Sequence, residues 1–492
     1  MPKSQSTAIQ SSATTSSTTT SRTTTSGTTS PTSSTSVQMH SSGAGSYRSA
    51  DSLGCASFGQ MRRRQLLTSA SIASGLASVG FLTRFAEQVA RAHEPGALLA
   101  QSKRPKSMIL LWLQGGPSQL ETFDPHPDSA VGGETKSIET SLPGVSIAAT
   151  LPKSSQWMHM ATLVRSMVSK EGDHERATYN MKTGWRPDPT LVHPSIGAVL
   201  CHQSESNLEI PRHVSILAGQ WPSRGGYLGS QWDAFQLFDP KDPLPNLRSY
   251  VDRDSFDQRV KDLSVVEKAF RRGRLKDLDR TKTLHANSTQ RATTMMDSSQ
   301  IEAFEIERES SEVRQSFGDT PFGRSCLAAV RLVEQGVTCV EVELSGWDSH
   351  VENYTLQSGR CAILDSAIDG LIRLLIDRNL LDSTIVMCGG EFGRTPKINI
   401  ADGRDHWPTG FSTLLCGGPF RRGYVHGETT SELPPSGEDA LRGVRDPVRI
   451  EDLHATLLDA FGVPISEEIR TPIGRPMARS QGTIVRTLFQ ES

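Results

Sequence analysis

Continuous apolar runs of strand length recur along the chain, and glycine, proline or polar residues bound each of them. Such runs are typical of strands that are buried on both faces of a parallel sheet. They lie at Ser107–Leu113, Thr162–Met167, His213–Leu217, Thr338–Leu344, Ile385–Gly389 and Ser412–Cys416. Between them apolar positions recur at helical spacing, most clearly over Ile363–Asp377 and Ile450–Phe461. The alternation predicts an α/β fold with a mostly parallel central sheet covered by helices on both faces.

Two segments depart from this alternation. Residues 251–316 are polar and highly charged, and they predict a helical insertion on the outside of the sheet. Residues 1–60 are dominated by serine and threonine and contain almost no large aliphatic clusters. Such a segment cannot bury enough apolar surface to offset its ordering entropy, so it is predicted to be disordered. We expect residues 93–492 to form a single domain.

Residues 61–92 have the parts of an export signal. Three arginines at 62–64 precede a weakly apolar stretch, and a small-x-small cleavage sequence follows at 90–92. Paired arginines followed by leucines are typical of the twin-arginine route, which predicts a periplasmic or extracellular protein. An ordinary amphipathic helix is the alternative interpretation. Met61 is also a plausible start codon, in which case residues 1–60 would not be translated.

Charge and cysteine content narrow the class of protein further. The 492 residues include 52 basic and 54 acidic side chains, and residues 93–492 alone carry 44 and 52, a net charge of −8. An acidic chain argues against nucleic-acid binding. No apolar run approaches the ~18 residues that a membrane-spanning helix needs. The six cysteines after residue 92 are widely spaced among apolar neighbours, which favours buried side chains; an occasional disulfide is the alternative.

Polar side chains gather where predicted strands end, which is where open α/β sheets place their ligands. The clusters are Asp348 with His350, Glu391 with Arg394, and Asp405 with His406. Asp and His side chains suit a divalent ion such as zinc or manganese. Two Asp/His pairs at successive strand ends are harder to attribute to chance than one. A surface loop in which Asp348 caps the next helix is the alternative.

The other polar groups allow two readings each. Glu391 is a candidate metal ligand or general base, and Arg394 either pairs with it or binds an anionic substrate in a bidentate manner. A further cluster over residues 171–179 includes His174, Arg176 and Thr178. It is a candidate nucleophile or substrate clamp, and a solvated helix start is the simpler alternative.

Seven motifs occur in a fixed order along the chain. They are LWLQGGPSQLETFDP (111–125), EGDHERATYNMKTG (171–184), GYLGSQWDAF (226–235), GWDSH (346–350), GGEFGRTPKIN (389–399), GRDHWP (403–408) and EDLHATLLDAFG (451–462). Together they closely resemble domain of unknown function family 1501 over roughly residues 105–470. That family is similar to the alkaline phosphatase and sulfatase superfamily, and its members commonly carry twin-arginine signals.

The resemblance implies an alkaline-phosphatase-like three-layer sandwich. In that superfamily two metal ions are held by Asp and His at strand ends, and a Ser, Thr or modified Cys attacks a phosphate or sulfate ester. Paired cations suit this chemistry because they offset charge on the transferred oxyanion. Carried over to this chain, Asp348 and His350 match one metal half-site, and Asp405 and His406 would match the other.

The remaining roles are assigned with less support from the motifs. Those expected in catalysis are Glu391, Arg394 and Thr178, and those expected to bind the substrate are Arg404, His174 and Arg176. Ser118 is a second candidate nucleophile, and His426 is a candidate for a final ligand. The superfamily usually has Asp at the end of the first strand, where this chain has Gln114, a neutral and weaker ligand.

The leading hypothesis is an exported metal-dependent hydrolase. Its substrate would be a small anionic ester or a sulfated or phosphorylated polysaccharide, and its cofactor zinc, with manganese or calcium as alternatives. The alternative hypothesis is a non-catalytic member of the same fold that binds an anionic ligand or polysaccharide outside the cytoplasm. The altered first strand and the unassigned nucleophile motivate that alternative.

Overall fold

The predicted apolar runs form the centre of a nine-stranded sheet. Its strands, labelled in chain order, are β1 Ser107–Gln114, β2 Ala161–Val168, β3 His213–Ile216, β4 Phe235–Leu237, β5 Cys339–Ser345, β6 Thr384–Gly389, β7 Phe411–Cys416, β8 Tyr424–His426 and β9 Val448–Arg449. Their order is β8-β2-β7-β6-β1-β5-β3-β4, and β9 also pairs with β2. Only β7 runs antiparallel to its neighbours, β6 and β2. The predicted mostly parallel sheet is confirmed.

This computed structural model describes residues 104–272, 284–434 and 443–490. All of them belong to one unit, Thr83–Ser492. The predicted disordered segment 1–60 and the predicted export signal 61–92 lie outside the described residues. None of the helices among the described residues is long and apolar enough to cross a membrane.

Helices cover both faces of the sheet. They are α1 His174–Thr183, α2 Ile196–Gln203, α3 Arg253–Arg271, α4 Leu284–Asp297, α5 Ser311–Ser316, α6 Pro321–Glu334, α7 Asn353–Asp377 and α8 Ile450–Ala460. Side chains of β1 alternate between two cores, because successive residues of a strand point to opposite faces. Ile109 and Leu111 pack in the core that includes α6 and α7, whereas Leu110 and Trp112 pack in the core that includes α2 and α8. The result is the three-layer arrangement expected from the alternation.

The polar segment 251–316 contains α3, α4 and α5, and two short 3-10 helices, Ser299–Phe304 and Ile306–Arg308, lie between α4 and α5. Few of its side chains are buried, which explains its high charge. The six described cysteines are all buried and unpaired, as small apolar side chains would be. Four two-stranded ribbons complete the described part of the chain: Ser137–Glu139 with Ser146–Ala148, Gly393–Arg394 with His406–Trp407, Glu428–Thr429 with Val444–Arg445, and Glu468–Arg470 with Pro476–Ala478.

A buried ion pair fixes α1 against the sheet. Lys182, near the end of α1, donates to Glu341 Oε1 of β5 at 3.0 Å and to the carbonyl oxygen of Trp221 at 2.7 Å. Two serine hydroxyls, of Ser215 and Ser223, also donate to the Glu341 carboxylate. A buried carboxylate and a buried ammonium are tolerated only when such partners compensate for lost hydration.

We predict that Lys182→Met destabilises the protein by about 3–5 kcal/mol, because it leaves the Glu341 carboxylate buried without its counter-charge. The matched control is Lys241→Met. Lys241 is 56% exposed, and its Nζ lies 3.9 Å from Asp239 Oδ2, a long distance for an ion pair. Its loss should cost about 1 kcal/mol or less. Urea denaturation followed by circular dichroism measures both. Equal midpoints for the two variants would show that the buried pair does not anchor α1.

Candidate metal centre

The ends of four strands meet at one edge of the sheet. β1, β5 and β6 are adjacent and parallel, so their carboxyl ends lie side by side. β2 points the same way, because β2 and β6 both run antiparallel to β7. Asp348 and His350 follow β5, Glu391 follows β6, and His174 follows β2 as the first residue of α1. Open α/β sheets bind their ligands at this edge.

His406 reaches the same edge through a two-stranded ribbon. The ribbon pairs His406 with Arg394 in antiparallel register, so residues 395–405 fold back over the loop that follows β6. The start of α1 is fixed by Asp173, whose carboxylate accepts the backbone N–H of Arg176 at 3.2 Å. Local structure therefore presents both His174 and His406 to the loop after β5.

Three imidazoles converge on one carboxylate. His350 Nε2 and His406 Nε2 lie 3.2 and 3.4 Å from Asp348 Oδ1, and 3.0 Å from each other. His174 Nε2 lies 3.4 Å from Asp348 Oδ2. Four ligands at zinc-bonding distance from a central ion are roughly 3.3 Å apart in a tetrahedral arrangement. The ligand atoms of His174, Asp348 and His406 all lie within 4.8 Å of one another, and His350 adjoins Asp348 and His406. We call these four residues the ligand cluster.

The other ring nitrogen of each histidine faces an oxygen atom. The three pairs are His174 Nδ1 with Glu391 Oε1 at 2.7 Å, His350 Nδ1 with Asp405 Oδ1 at 2.8 Å, and His406 Nδ1 with the carbonyl oxygen of Gly172 at 2.8 Å. Carboxylate and carbonyl oxygens only accept hydrogen bonds, so each Nδ1 carries a proton and donates it. A neutral ring then leaves its Nε2 with a free lone pair, which is how metal-binding histidines are usually oriented.

The protonation states of the cluster suit a cation. The hydrogen bond to Glu391 raises the pKa of His174, so a proton competes with a metal ion for Nε2 as the pH falls. Burial lowers the pKa of His406 and keeps its ring neutral. Burial alone would raise the pKa of Asp348, but the hydrogen bond from Arg394 and nearby positive charge lower it overall. His174 Nε2 is buried and has no hydrogen-bond partner, as expected of a nitrogen that awaits an ion.

Glu391 and Asp405 lie behind the histidines rather than among the converging atoms. Glu391 is fully buried, and its Oε1 also accepts the backbone N–H of Gly115 at 2.9 Å. A base needs access to its substrate, and Glu391 has none. Asp405, expected as a metal ligand, faces the Nδ1 side of His350, and His174, expected to bind substrate, occupies the fourth position of the cluster.

The predicted arginines are mostly engaged with protein groups. Arg404 is fully buried, and its guanidinium donates to Glu121 and to the carbonyl oxygens of Val131, Thr395 and Pro396. These bonds occupy all of its N–H groups, so it has no donor left for a substrate. Arg394 is also fully buried and donates to Asp348 Oδ1 at 2.6 Å. Both arginines therefore stabilise the site through hydrogen bonds to buried protein groups.

The remaining candidates are distributed differently. Arg176 is half exposed and makes a fork-shaped pair with Glu171, at 2.7 and 3.1 Å. The hydroxyls of Thr178 and Ser118 are buried and make no hydrogen bond, so neither is hydrogen-bonded to the ligand cluster. His426, on β8, faces Thr487 and Tyr424 and does not join the cluster.

The sequence did not predict that the Gly172 carbonyl faces His406 or that His174 lies beside Asp348. A backbone carbonyl leaves no residue-type signal. His174 did carry one, because it follows β2 and opens a helix at the same sheet edge as Asp348. To use that signal one must know that β2 runs parallel to β6. The direction of β2 is set by the antiparallel strand β7, which lies between them.

Solved structures with a similar fold are distant. PsFucS1 sulfatase from Pseudoalteromonas sp. is 13% identical, with 77% of this chain and 71% of that chain covered and a TM-score of 0.36. Phosphonate monoester hydrolase from Silicibacter pomeroyi is 11% identical, with 79% and 78% covered and a TM-score of 0.32. Alkaline phosphatase from the Antarctic bacterium TAB5 is 11% identical, with 73% and 98% covered and a TM-score of 0.33. At this distance the chemistry of the chain has to come from its own side chains.

A protein family matches this sequence, whereas the curated proteins do not. No curated protein matches the chain. The sequence model of one family matches residues 105–489, which include every member of the ligand cluster and each group that orients it. The chain therefore belongs to the family described as Protein of unknown function (DUF1501).

Proposed function

We propose that the protein is an exported, metal-dependent hydrolase that acts on a phosphate or sulfate ester. The observation that carries this proposal is that three imidazole Nε2 atoms each lie 3.2–3.4 Å from an oxygen of the Asp348 carboxylate, while the Nε2 atoms of His350 and His406 lie 3.0 Å apart. Lone pairs repel at such distances unless a cation or a proton lies between them. Export rests on the arginine-led segment 61–92 of the sequence.

The ligand types favour zinc. Three nitrogens and one carboxylate oxygen are a donor set that zinc accepts readily, and manganese is the nearest alternative. Calcium prefers oxygen ligands in larger number, so three imidazoles argue against it. The ligands Asp348 and His350 are 46% and 45% exposed, which leaves that side of the cluster open to a substrate.

The residues around the cluster have different roles in the proposed reaction. A divalent ion held by the cluster would polarise the ester and make water a competent nucleophile at neutral pH. Glu391, Asp405 and the Gly172 carbonyl hold the three rings in the binding tautomer. Because the Thr178 and Ser118 hydroxyls are buried and make no hydrogen bond to the cluster, we assign the attack to water rather than to a side chain.

Positive charge beside the cluster supports an anionic substrate. Arg176 and Arg186 both donate to the Glu171 carboxylate, at 2.7 and 2.5 Å, and Glu171 directly precedes Gly172. Glu171 is buried, whereas the two arginine side chains are 49% and 57% exposed. Two guanidinium groups on one carboxylate leave unused donors, and guanidinium groups bind phosphate and sulfate oxygens well.

We predict that Asp348→Ala abolishes zinc binding, whereas Asp405→Asn weakens it by about 10–100-fold, because Asp348 is a ligand and Asp405 only orients one. Asp319→Ala is the matched control, since Asp319 is 98% exposed and pairs with Arg324, which is not part of the ligand cluster. Competition with a chromophoric chelator measures the three affinities. Loss of binding in Asp405→Asn as complete as in Asp348→Ala would return Asp405 to the ligand set.

We predict that the zinc-loaded protein hydrolyses 4-nitrophenyl phosphate or 4-nitrophenyl sulfate, and that Asp348→Ala lowers the rate roughly 100-fold or more. A chelator should stop turnover, and added zinc should restore it. Asp319→Ala should retain the wild-type rate. Tight zinc binding with no hydrolysis of either ester would favour the non-catalytic, ligand-binding alternative.

A further inference from the structure

A buried guanidinium stands directly beside the ligand cluster. Arg394 Nη2 donates to Asp348 Oδ1 at 2.6 Å, the same oxygen that His350 and His406 face. Nη2 also donates to the carbonyl oxygen of Gly115, and Nε and Nη1 donate to the carbonyl oxygens of Gly116 and Arg404. With 0% of its side chain exposed, this arginine is a permanent positive charge in the floor of the site.

The first strand offers no ligand for a second ion. Gln114 Oε1, the only atom of its amide that can bind a cation, accepts the indole N–H of Trp112 at 2.7 Å. Its amide nitrogen donates to Glu391 Oε1 at 2.9 Å. Both ends of the side chain are therefore used by neighbours. Gln114 connects the sheet to Glu391 instead of binding metal.

Glu391 is also poorly placed to hold a second ion. Its Oε1 accepts three N–H groups, from Gln114, Gly115 and His174, all at 2.7–2.9 Å. Its Oε2 is buried and has no hydrogen-bond partner. One unpartnered oxygen surrounded by donors is too little for a site that needs at least three ligands. Among the described residues, His174, Asp348 and His406 form a group whose ligand atoms all lie within 4.8 Å of one another, and His350 adjoins that group at Asp348 and His406. All four residues belong to the ligand cluster.

The balance of charge around the cluster also favours one divalent ion over two. Three carboxylates adjoin the cluster, those of Asp348, Glu391 and Asp405, and Arg394 is the cation buried among them. With the histidines neutral, one divalent ion brings the total charge to zero. A second divalent ion would leave an excess of two positive charges, and uncompensated charge is costly in a partly buried site.

We infer that the protein holds one divalent ion, not two, and that the Arg394 guanidinium supplies the second positive charge at Asp348. The inference rests on the proposed metal site and specifies how that site works. Arg394 is a positioning residue in this scheme: it fixes Asp348 and offsets its charge without reaching the substrate. Glu391 and Gln114 orient His174 and do not bind metal.

The test counts ions bound to the full-length chain. The protein is equilibrated with saturating zinc, freed of excess by dialysis, and analysed by plasma mass spectrometry for zinc per chain. Glu391→Gln keeps the shape of Glu391 and removes its charge, and Gln114→Ala removes the amide. Asp348→Ala measures zinc bound elsewhere on the surface, and circular dichroism melting confirms that each variant is folded.

We expect one zinc per chain above the Asp348→Ala value in the wild type, and still one at saturation in folded Glu391→Gln and Gln114→Ala. Two zinc ions in the wild type, falling to one in Glu391→Gln, would overturn the single-ion inference and leave the proposed hydrolase intact. No zinc in Glu391→Gln at saturation would make Glu391 a ligand and overturn its assignment. No zinc in the wild type would remove both this inference and the proposed function.

Discussion

Each imidazole of the ligand cluster has its Nδ1 atom held by an oxygen, and this constraint decides what the site can bind. Without the three acceptors, the rings would be free to rotate or to exchange the proton between nitrogens. With them, three Nε2 lone pairs face the Asp348 carboxylate at once. Orienting groups of this kind set ligand basicity and geometry as much as the ligands do. The chemistry of the site depends on those three hydrogen bonds.

The fold supplies the three acceptors from three separate segments. Glu391 follows β6, Gly172 lies between β2 and α1, and Asp405 lies at the ribbon that crosses over Arg394. Arg394 connects the loop after β1 and Asp348 after β5 with Arg404, the residue before Asp405. Burying a guanidinium costs several kcal/mol unless hydrogen bonds compensate, and here four acceptors do so. The site consequently has a rigid interior and an open side at Asp348 and His350.

The strands were predictable because burial on both faces requires continuous apolar runs. All six predicted strands are present, with ends within one residue of those predicted. The edge strands β4, β8 and β9 were missed, since they are two or three residues long and partly exposed. The helix predicted from Ile363 begins earlier, at Asn353. Its first turns bury polar side chains such as Gln357, which bonds to the backbone of Trp347 and Ser118, so apolar periodicity is absent there.

The sequence by itself determined the strand order along the chain, the family, and the placement of Asp and His at strand ends. Which of those side chains converge on Asp348 and which lie behind the histidine rings was decided only by tertiary structure. His174 meets Glu391 across 217 residues, and His406 meets the Gly172 carbonyl across 234. For the same reason the fold places Asp405 behind the His350 ring and His174 beside Asp348. Residue type specifies that an imidazole can bind an ion, but the nitrogen that does so depends on the partner that the fold brings to the other side of the ring.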